Sequence, residues 1–319
     1  FTEKRYRNNL SSAQTISIED VTKTYGNFKA VDGMSASVER GGVWALLGPN
    51  GCGKTTLLKC MIGLIHFEGD IFIHGHDIRE EGVEARKQIG YVPQRPTVYD
   101  NLTVVETMKF YASIRRVKFS RITELLEFVG LELWGRSPVG ALSMGMKQRL
   151  MLAVALLSDP DTLLLDEPTA SLDVRRQLEF RSLLNILIEE GKTVLITTHL
   201  LGDVDQIARN IIVMNKGKLV TSGSVSDLMK NLNITAHMYV ELEDQTQIDS
   251  AMSVLEKTGA RDVSIKDVGT KQVMMMGVEP INKLPILQAL DSAGHKIKNF
   301  NIDEPNLEDA FMKLTGEDQ

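Results

Sequence analysis

The run Gly48-Pro49-Asn50-Gly51-Cys52-Gly53-Lys54-Thr55-Thr56 constrains this chain more tightly than any other part of its sequence. It satisfies the spacing Gly-x-x-x-x-Gly-Lys-[Ser/Thr] through Gly48, Gly53, Lys54 and Thr55. The apolar Val43–Leu47 before it reads as a buried strand, and Thr56–Leu64 after it as a helix. Strand, glycine-rich loop and helix in that order form the context in which such a motif cradles phosphate. The glycines let backbone N–H groups converge on an anion, and the helix N-terminus adds positive potential. Lys54 is then placed to reach the β- and γ-phosphates, and Thr55 to offer its hydroxyl to Mg²⁺. The motif predicts a nucleoside triphosphate site.

The chain has 319 residues, which leaves room for two domains. Val43–Leu47, Thr162–Leu165 and Val194–Thr197 read as buried parallel strands joined through helices. Ile16–Val21, Val38–Arg40 and the segments around Ile71 and His74 suggest a smaller antiparallel sheet. Ile211–Met214 and Lys218–Thr221 flank Asn215-Lys216-Gly217 as a hairpin. Between about Thr97 and Leu157 strands give way to helical spacing, at Ile122, Leu125, Leu126 and Val129 and again over Met144–Leu157, which predicts an inserted helical subdomain.

Beyond Ala236 the pattern changes. Met238–Leu242 alternates as a strand, and Ile248, Met252 and Leu255 form a helical stripe. Val263–Val268 and Val273–Met276 read as strands, Ile281–Leu290 as a helix, and Ile297–Ile302 as a strand with Phe300 and Ile302 on one face. The order β-α-β-β-α-β predicts a small ferredoxin-like α+β domain. A last helix is expected to carry Leu307, Ala310, Phe311 and Leu314 behind an Asn306 cap. The expected domains are a disordered segment 1–15, a nucleotide-binding domain 16–234 and a C-terminal accessory domain 235–319.

Composition excludes several classes. A net charge of −6 argues against a nucleic-acid partner. Cys52 and Cys60 provide neither a disulfide framework nor a metal cluster. No apolar run approaches the roughly 18 residues that span a bilayer. The polar, basic start of the chain lacks the apolar core of a secretory signal, and with Phe1 in place of methionine the native start is expected to be missing or processed.

Leu163-Leu164-Leu165-Asp166-Glu167 ends an apolar strand on two carboxylates. Taken alone, such a pair is more often a solvated strand end than a catalytic one. Here it belongs to an ordered set. Gln94 lies in Tyr91-Val92-Pro93-Gln94, and Ala141-Leu142-Ser143-Met144-Gly145-Met146-Lys147-Gln148-Arg149 precedes the carboxylates. Ser171-Leu172-Asp173 follows them, and His199 follows the strand Val194–Thr198. Over about residues 16–223 this set resembles the ATP-binding cassette (ABC) ATPase family.

The resemblance implies an α/β fold of ABC type, with a parallel-core sheet, an antiparallel β subdomain and a helical subdomain. It implies ATP and Mg²⁺ as cofactors. Tyr25 would stack on adenine, Gly48 to Thr56 would hold the phosphates, and Thr55, Gln94 and Asp166 would hold the metal. Glu167 would polarise the attacking water, with Gln94 and His199 beside the γ-phosphate. Ser143, Gly145 and Asp173 would act across a dimer, on ATP held by a second copy or a related ATPase. The segment from Asp303 to Gly316 resembles the tail of exporter-type subunits, which implies an integral membrane permease partner and a peripheral place on the cytoplasmic face of the membrane. The contending class is a soluble ABC ATPase serving as an assembly or scaffold factor, with a DNA-repair ATPase third. Pro96, Val98, Tyr99, Leu102, Phe110 and Tyr111 discriminate, because a permease would need some of them exposed.

Two departures stand out: Met144 and Met146 occupy the first glycine and the glutamine of the family's Leu-Ser-Gly-Gly-Gln. Gly42 likewise stands where glutamate is usual before the strand. Among weaker candidates, His74-x-His76 is read as surface histidines rather than metal ligands, and Met274-Met275-Met276 as core filling rather than a copper site.

Overall fold

Parallel strands need cover on both faces, and the apolar runs of this chain supply it. In the computed structural model, which describes residues 14–170, 172–198, 204, 207–231, 236–258, 260–268, 271–278, 283–303, 311 and 314, the contacts divide the chain into two compact units, Phe1–Val225 and Ser226–Gln319.

The first unit opens with a long antiparallel hairpin, β1 (Gln14–Tyr25) and β2 (Phe28–Glu39). Both strands run longer than the expected Ile16–Val21 and Val38–Arg40. Asp32-Gly33 interrupts the apolar pattern of β2, yet the chain crosses it in extended form, with Gly33 in the left-handed region and a register shift opposite. β3 (Gly42–Leu47) leads into α1 (Lys54–Met61), followed by β4 (Glu68–Ile73), β5 (His76–Asp77), α2 (Gly82–Lys87) and β6 (Ile89–Val92). The hairpin joins β4 and β5 in the sheet β2-β1-β4-β5.

Three helices then intervene: α3 (Val104–Arg115), α4 (Ser120–Phe128) and α5 (Met144–Leu156). A capping box between Thr103 and Glu106 starts α3. Apolar side chains surround α5 on nearly every side, and Leu150 to Leu156 are all buried. At its C-terminal end the Arg115 guanidinium donates to the carbonyls of Val154 (2.9 Å) and Ala155 (3.2 Å), and Arg121 donates to that of Leu156 (3.4 Å). Cations there complement the negative end of the helix.

β7 (Thr162–Asp166), α6 (Val174–Glu189), β8 (Thr193–Thr198), β9 (Asn210–Asn215) and β10 (Lys218–Ser224) complete the unit. The main sheet has the order β10-β9-β3-β8-β7-β6, parallel except for the β9–β10 hairpin. Leu46, Leu164, Leu195 and Ile212 pack toward α1 and the antiparallel sheet in one core cluster, while the alternate residues, such as Leu163, Val194 and Ile211, are equally buried. The register aligns Leu47 with Thr198, Thr197 with Asp166, and Leu165 with Val92. Four carboxyl ends therefore meet at one edge of the sheet.

After α7 (Val225–Asn231), the second unit follows the predicted order: β11 (Ala236–Leu242), α8 (Ile248–Leu255), β12 (Arg261–Val268), β13 (Lys271–Val278), α9 (Lys283–Ser292) and β14 (Ile297–Asp303). The strands lie in the order β12-β13-β11-β14, all antiparallel, which is the ferredoxin-like arrangement. Met238, Val240, Met274 and Met276 face Ile248, Ala251, Leu255, Ile286 and Leu290 in its core. Met274 and Met276 thus fill core space, and Met275 alternates to the opposite face. Phe300, on the edge strand β14, is half exposed while Ile302 packs on the core. Of the expected last helix, Phe311 and Leu314 are helical; Asn306, Leu307 and Ala310 lie outside the described residues, as do residues 1–13. No helix among the described residues is long and apolar enough to cross a membrane.

Ile286→Ala should destabilise the second unit by roughly 2–5 kcal/mol, since it empties a fully buried site. Both tryptophans, Trp44 and Trp134, lie in the first unit. A thermal scan should therefore show an early loss of circular dichroism with the tryptophan fluorescence transition unmoved.

Candidate active site

The loop after β3 folds around its own glycines. Gly53 has φ +113°, and a Cβ there would overlap the Ala30 carbonyl oxygen. A Cβ at Gly48 would overlap the carbonyl oxygen of Met214 and the Cys52 sulfur. Only glycine fits either position. From behind, the Gly217 N–H donates to the Cys52 carbonyl at 2.9 Å, so the β9–β10 turn braces the loop. Cys52 itself is buried, and burial raises its thiol pKa; it is a packing residue rather than a reactive thiol.

Lys54 begins α1 and curls back over the loop. Its ammonium donates to the carbonyls of Gly48 (2.6 Å) and Pro49 (3.2 Å) and lies 3.8 Å from Glu167 Oε1. The Thr55 hydroxyl donates to Asp166 Oδ1 at 3.0 Å. Gln94, just past β6, donates through Nε2 to Glu167 Oε2 at 2.9 Å. A cleft of about 300 Å³ is lined by Tyr25, Phe28, Ala30, Asn50, Gly51, Gly53, Lys54, Thr55, Thr56, Gln94 and Glu167. Residues far apart in sequence thus converge on one concave surface, next to the helix N-terminus that attracts anions.

Asp166 is buried at the end of β7. Burial raises its carboxyl pKa, against the hydrogen bonds from Thr197 and Thr55 that favour the anion. A hard divalent cation would offset that desolvation. The hydroxyl of Thr55, the carboxylate of Asp166 and the amide oxygen of Gln94 are the oxygen donors Mg²⁺ takes, with phosphate oxygens and water completing its shell. The donors present fit that ion.

Other expected residues lie elsewhere. Ser143, Gly145 and Asp173 do not line the cleft. Ser143 caps α5 by accepting the Met146 N–H at 3.4 Å, and Asp173 caps α6 by accepting the Arg176 N–H at 3.0 Å. Gly145 packs beside the Arg176 side chain, and Met144 projects into solvent. His199 and Ser171 lie outside the described residues. Neither His74, bonded to the Thr162 hydroxyl at 2.9 Å, nor His76, 3.4 Å from Glu81, belongs to a metal cluster, and no such cluster occurs among the described residues.

Two residues of the site escaped the sequence reading. Phe28 is 62% exposed and flanks the cleft beside Tyr25. The only signal was an aromatic side chain across a tight turn from another. Thr197, wholly buried, bonds to both carboxylate residues. No signal in the sequence singled it out, because Thr193 and Thr198 carry hydroxyls in the same buried strand.

The ABC transporter family profile matches residues 31–170. Over 315 residues, 95% of this chain and 96% of the relative, the chain is 32% identical to the daunorubicin resistance ATP-binding protein DrrA3 of Streptomyces coeruleorubidus. It is 33% identical to the bacitracin transport ATP-binding protein BcrA of Bacillus licheniformis, over 94% of this chain and 97% of that one. Among solved structures, the ATP-binding subunit of an ABC transporter superposes with a TM-score of 0.63 at 26% identity, covering 68% of this chain and 93% of the other.

Lys54→Ala removes the cation held over the loop and should weaken nucleotide binding by about 100-fold or more, measured with a fluorescent ATP analogue. Tyr25→Ala and Phe28→Ala should each weaken the same titration by about tenfold or less, since stacking contributes about 1 kcal/mol; the larger of the two losses identifies the adenine platform.

Proposed function

We propose that this chain, which belongs to the ABC transporter family of ATP-binding proteins, drives export through a separate integral membrane permease, as a peripheral subunit on the cytoplasmic face of the membrane. The chain is an ATP-binding, ATP-hydrolysing transporter subunit. In its cycle the loop Gly48–Thr56 and Lys54 hold the phosphates, with Tyr25 and Phe28 against the base. Thr55, Asp166 and Gln94 would hold Mg²⁺, which when bound would supply charge neutralisation to the phosphates. Glu167 takes a proton from the water that attacks the γ-phosphorus, while the bond from that phosphorus to the β–γ bridging oxygen breaks and ADP departs, leaving inorganic phosphate. Gln94, bonded to Glu167, lies just upstream of the segment that faces the permease.

The observation that carries this reading is the division of the site. One cleft gathers the phosphate loop, Gln94 and Glu167, while Ser143 and Gly145 open α5 away from it. A second cassette, a copy of this chain or a related ATPase, would bring its own Ser143 and Gly145 to that cleft. ATP would then sit between two protomers, closing them when bound and releasing them when hydrolysed.

A second surface supports the permease. Tyr99 is 61% and Phe110 43% exposed, and their rings meet edge to face at 6.0 Å, with Tyr111 against Phe110 at 5.3 Å. Pro96, Val98, Leu102 and Tyr111, in the same segment, are half-buried. Exposed aromatic clusters of this kind suit a partner helix. The relatives DrrA3 and BcrA are named for drug resistance and bacitracin transport, which supports an exporter over a soluble scaffold.

Glu167→Gln keeps the side chain's size while removing its charge, so ATP should bind without being consumed. The variant should elute as a monomer without nucleotide and as a dimer with ATP and Mg²⁺, by size-exclusion chromatography with light scattering. Adding Ser143→Arg should return it to a monomer under both conditions.

A further inference from the structure

The hydroxyl of Thr197 sits between the two acidic residues of the site. Its Oγ1 donates to Asp166 Oδ1 at 2.8 Å and accepts the Glu167 N–H at 2.9 Å. The same N–H also points to the Thr197 carbonyl at 3.1 Å. Since Asp166 Oδ1 accepts the Thr55 hydroxyl too, a continuous chain of bonds runs from the phosphate loop through Asp166 and Thr197 to Glu167. A hydroxyl has one proton, and here the carboxylate takes it, so the direction of the chain is set.

Glu167 stands in a costly conformation. Its φ is +43°, in the left-handed region where a residue with a Cβ is strained. Such a backbone persists only where its surroundings hold it. Thr197 supplies both bonds to the Glu167 N–H, and it is 0% exposed, so no water can stand in for its hydroxyl.

We propose that Thr197 is a positioning residue for hydrolysis: its hydroxyl fixes the backbone of Glu167 and the rotamer of Asp166, and so aims the Glu167 carboxylate. Thr197 does not line the nucleotide cleft and acts through the two acids. The inference rests on the assignment of Glu167 as the base. A hydroxyl that merely satisfied a buried donor would be felt in stability and not in turnover.

The test compares the full chain as wild type, Thr197→Val, Thr197→Ser and Glu167→Gln, measuring ATP turnover and ATP affinity separately. Valine keeps the shape and removes the hydroxyl; serine keeps the hydroxyl. Thr197→Val should lower kcat by about 10- to 100-fold while the Kd for ATP stays within about threefold. Thr197→Ser should turn over within about threefold of wild type. A valine variant that melts earlier but turns over normally would overturn the proposal. So would a serine variant as slow as the valine one, or an affinity loss as large as the turnover loss. Glu167→Gln separates the two claims. If it hydrolyses like wild type, the assignment of Glu167 fails whatever Thr197 does; if it is inactive while Thr197→Val is normal, only the role of Thr197 is lost. Should the valine variant not fold, Thr197→Cys, a much weaker hydrogen-bonding group, is measured against Thr197→Ser with the same two outcomes.

Discussion

The in-register parallel pairing of β3, β6, β7 and β8 is the constraint on which the site depends. Each strand is buried on both faces, so a slip of one residue would swap every side chain between two already filled cores. Register is therefore tightly specified. Because the carboxyl ends are level, the phosphate loop, Gln94, Asp166 and Thr197 all emerge at one height, and the site is a consequence of the sheet. Loops alone could not hold Asp166, at the end of β7, within hydrogen-bonding distance of Thr55 in the first turn of α1.

Within that frame the electrostatics are sharply divided. Asp166 is enclosed and its charge is disfavoured by burial, while Glu167, one residue later, reaches the cleft and the Lys54 ammonium. Adjacent carboxylates would repel if both lay in one enclosed space. Here Asp166 is buried in the protein while Glu167 lines the cleft.

The parts of this site legible in sequence are those that local chemistry forces to be contiguous. The phosphate loop needs its glycines and lysine at fixed spacing, so Gly48 to Thr56 could be read directly. Asp166 and Glu167 were legible as carboxylates closing an apolar strand. Phe28 and Thr197 were not, because their neighbours in space come from other strands and no spacing rule connects them. The length of β2 was hidden by Asp32-Gly33, which reads as a turn but is absorbed by an irregularity in the hairpin. The second unit was legible in its element order, because alternation along β11 and β13 differs so clearly from the stripes of α8 and α9.

The grip of Arg115 and Arg121 on the end of α5 has a mechanical consequence. At 1.5 Å per residue, the helix Met144–Leu156 is a rod about 20 Å long. Two guanidinium groups tether its last carbonyls, while Ser143 and the half-exposed Met144 stand at the far tip. A tilt of about 10° about the tethered end would carry that tip through about 3 Å, the length of a hydrogen bond. A helix tethered in this way would convert a small angular change at its base into the making or breaking of contacts at its end.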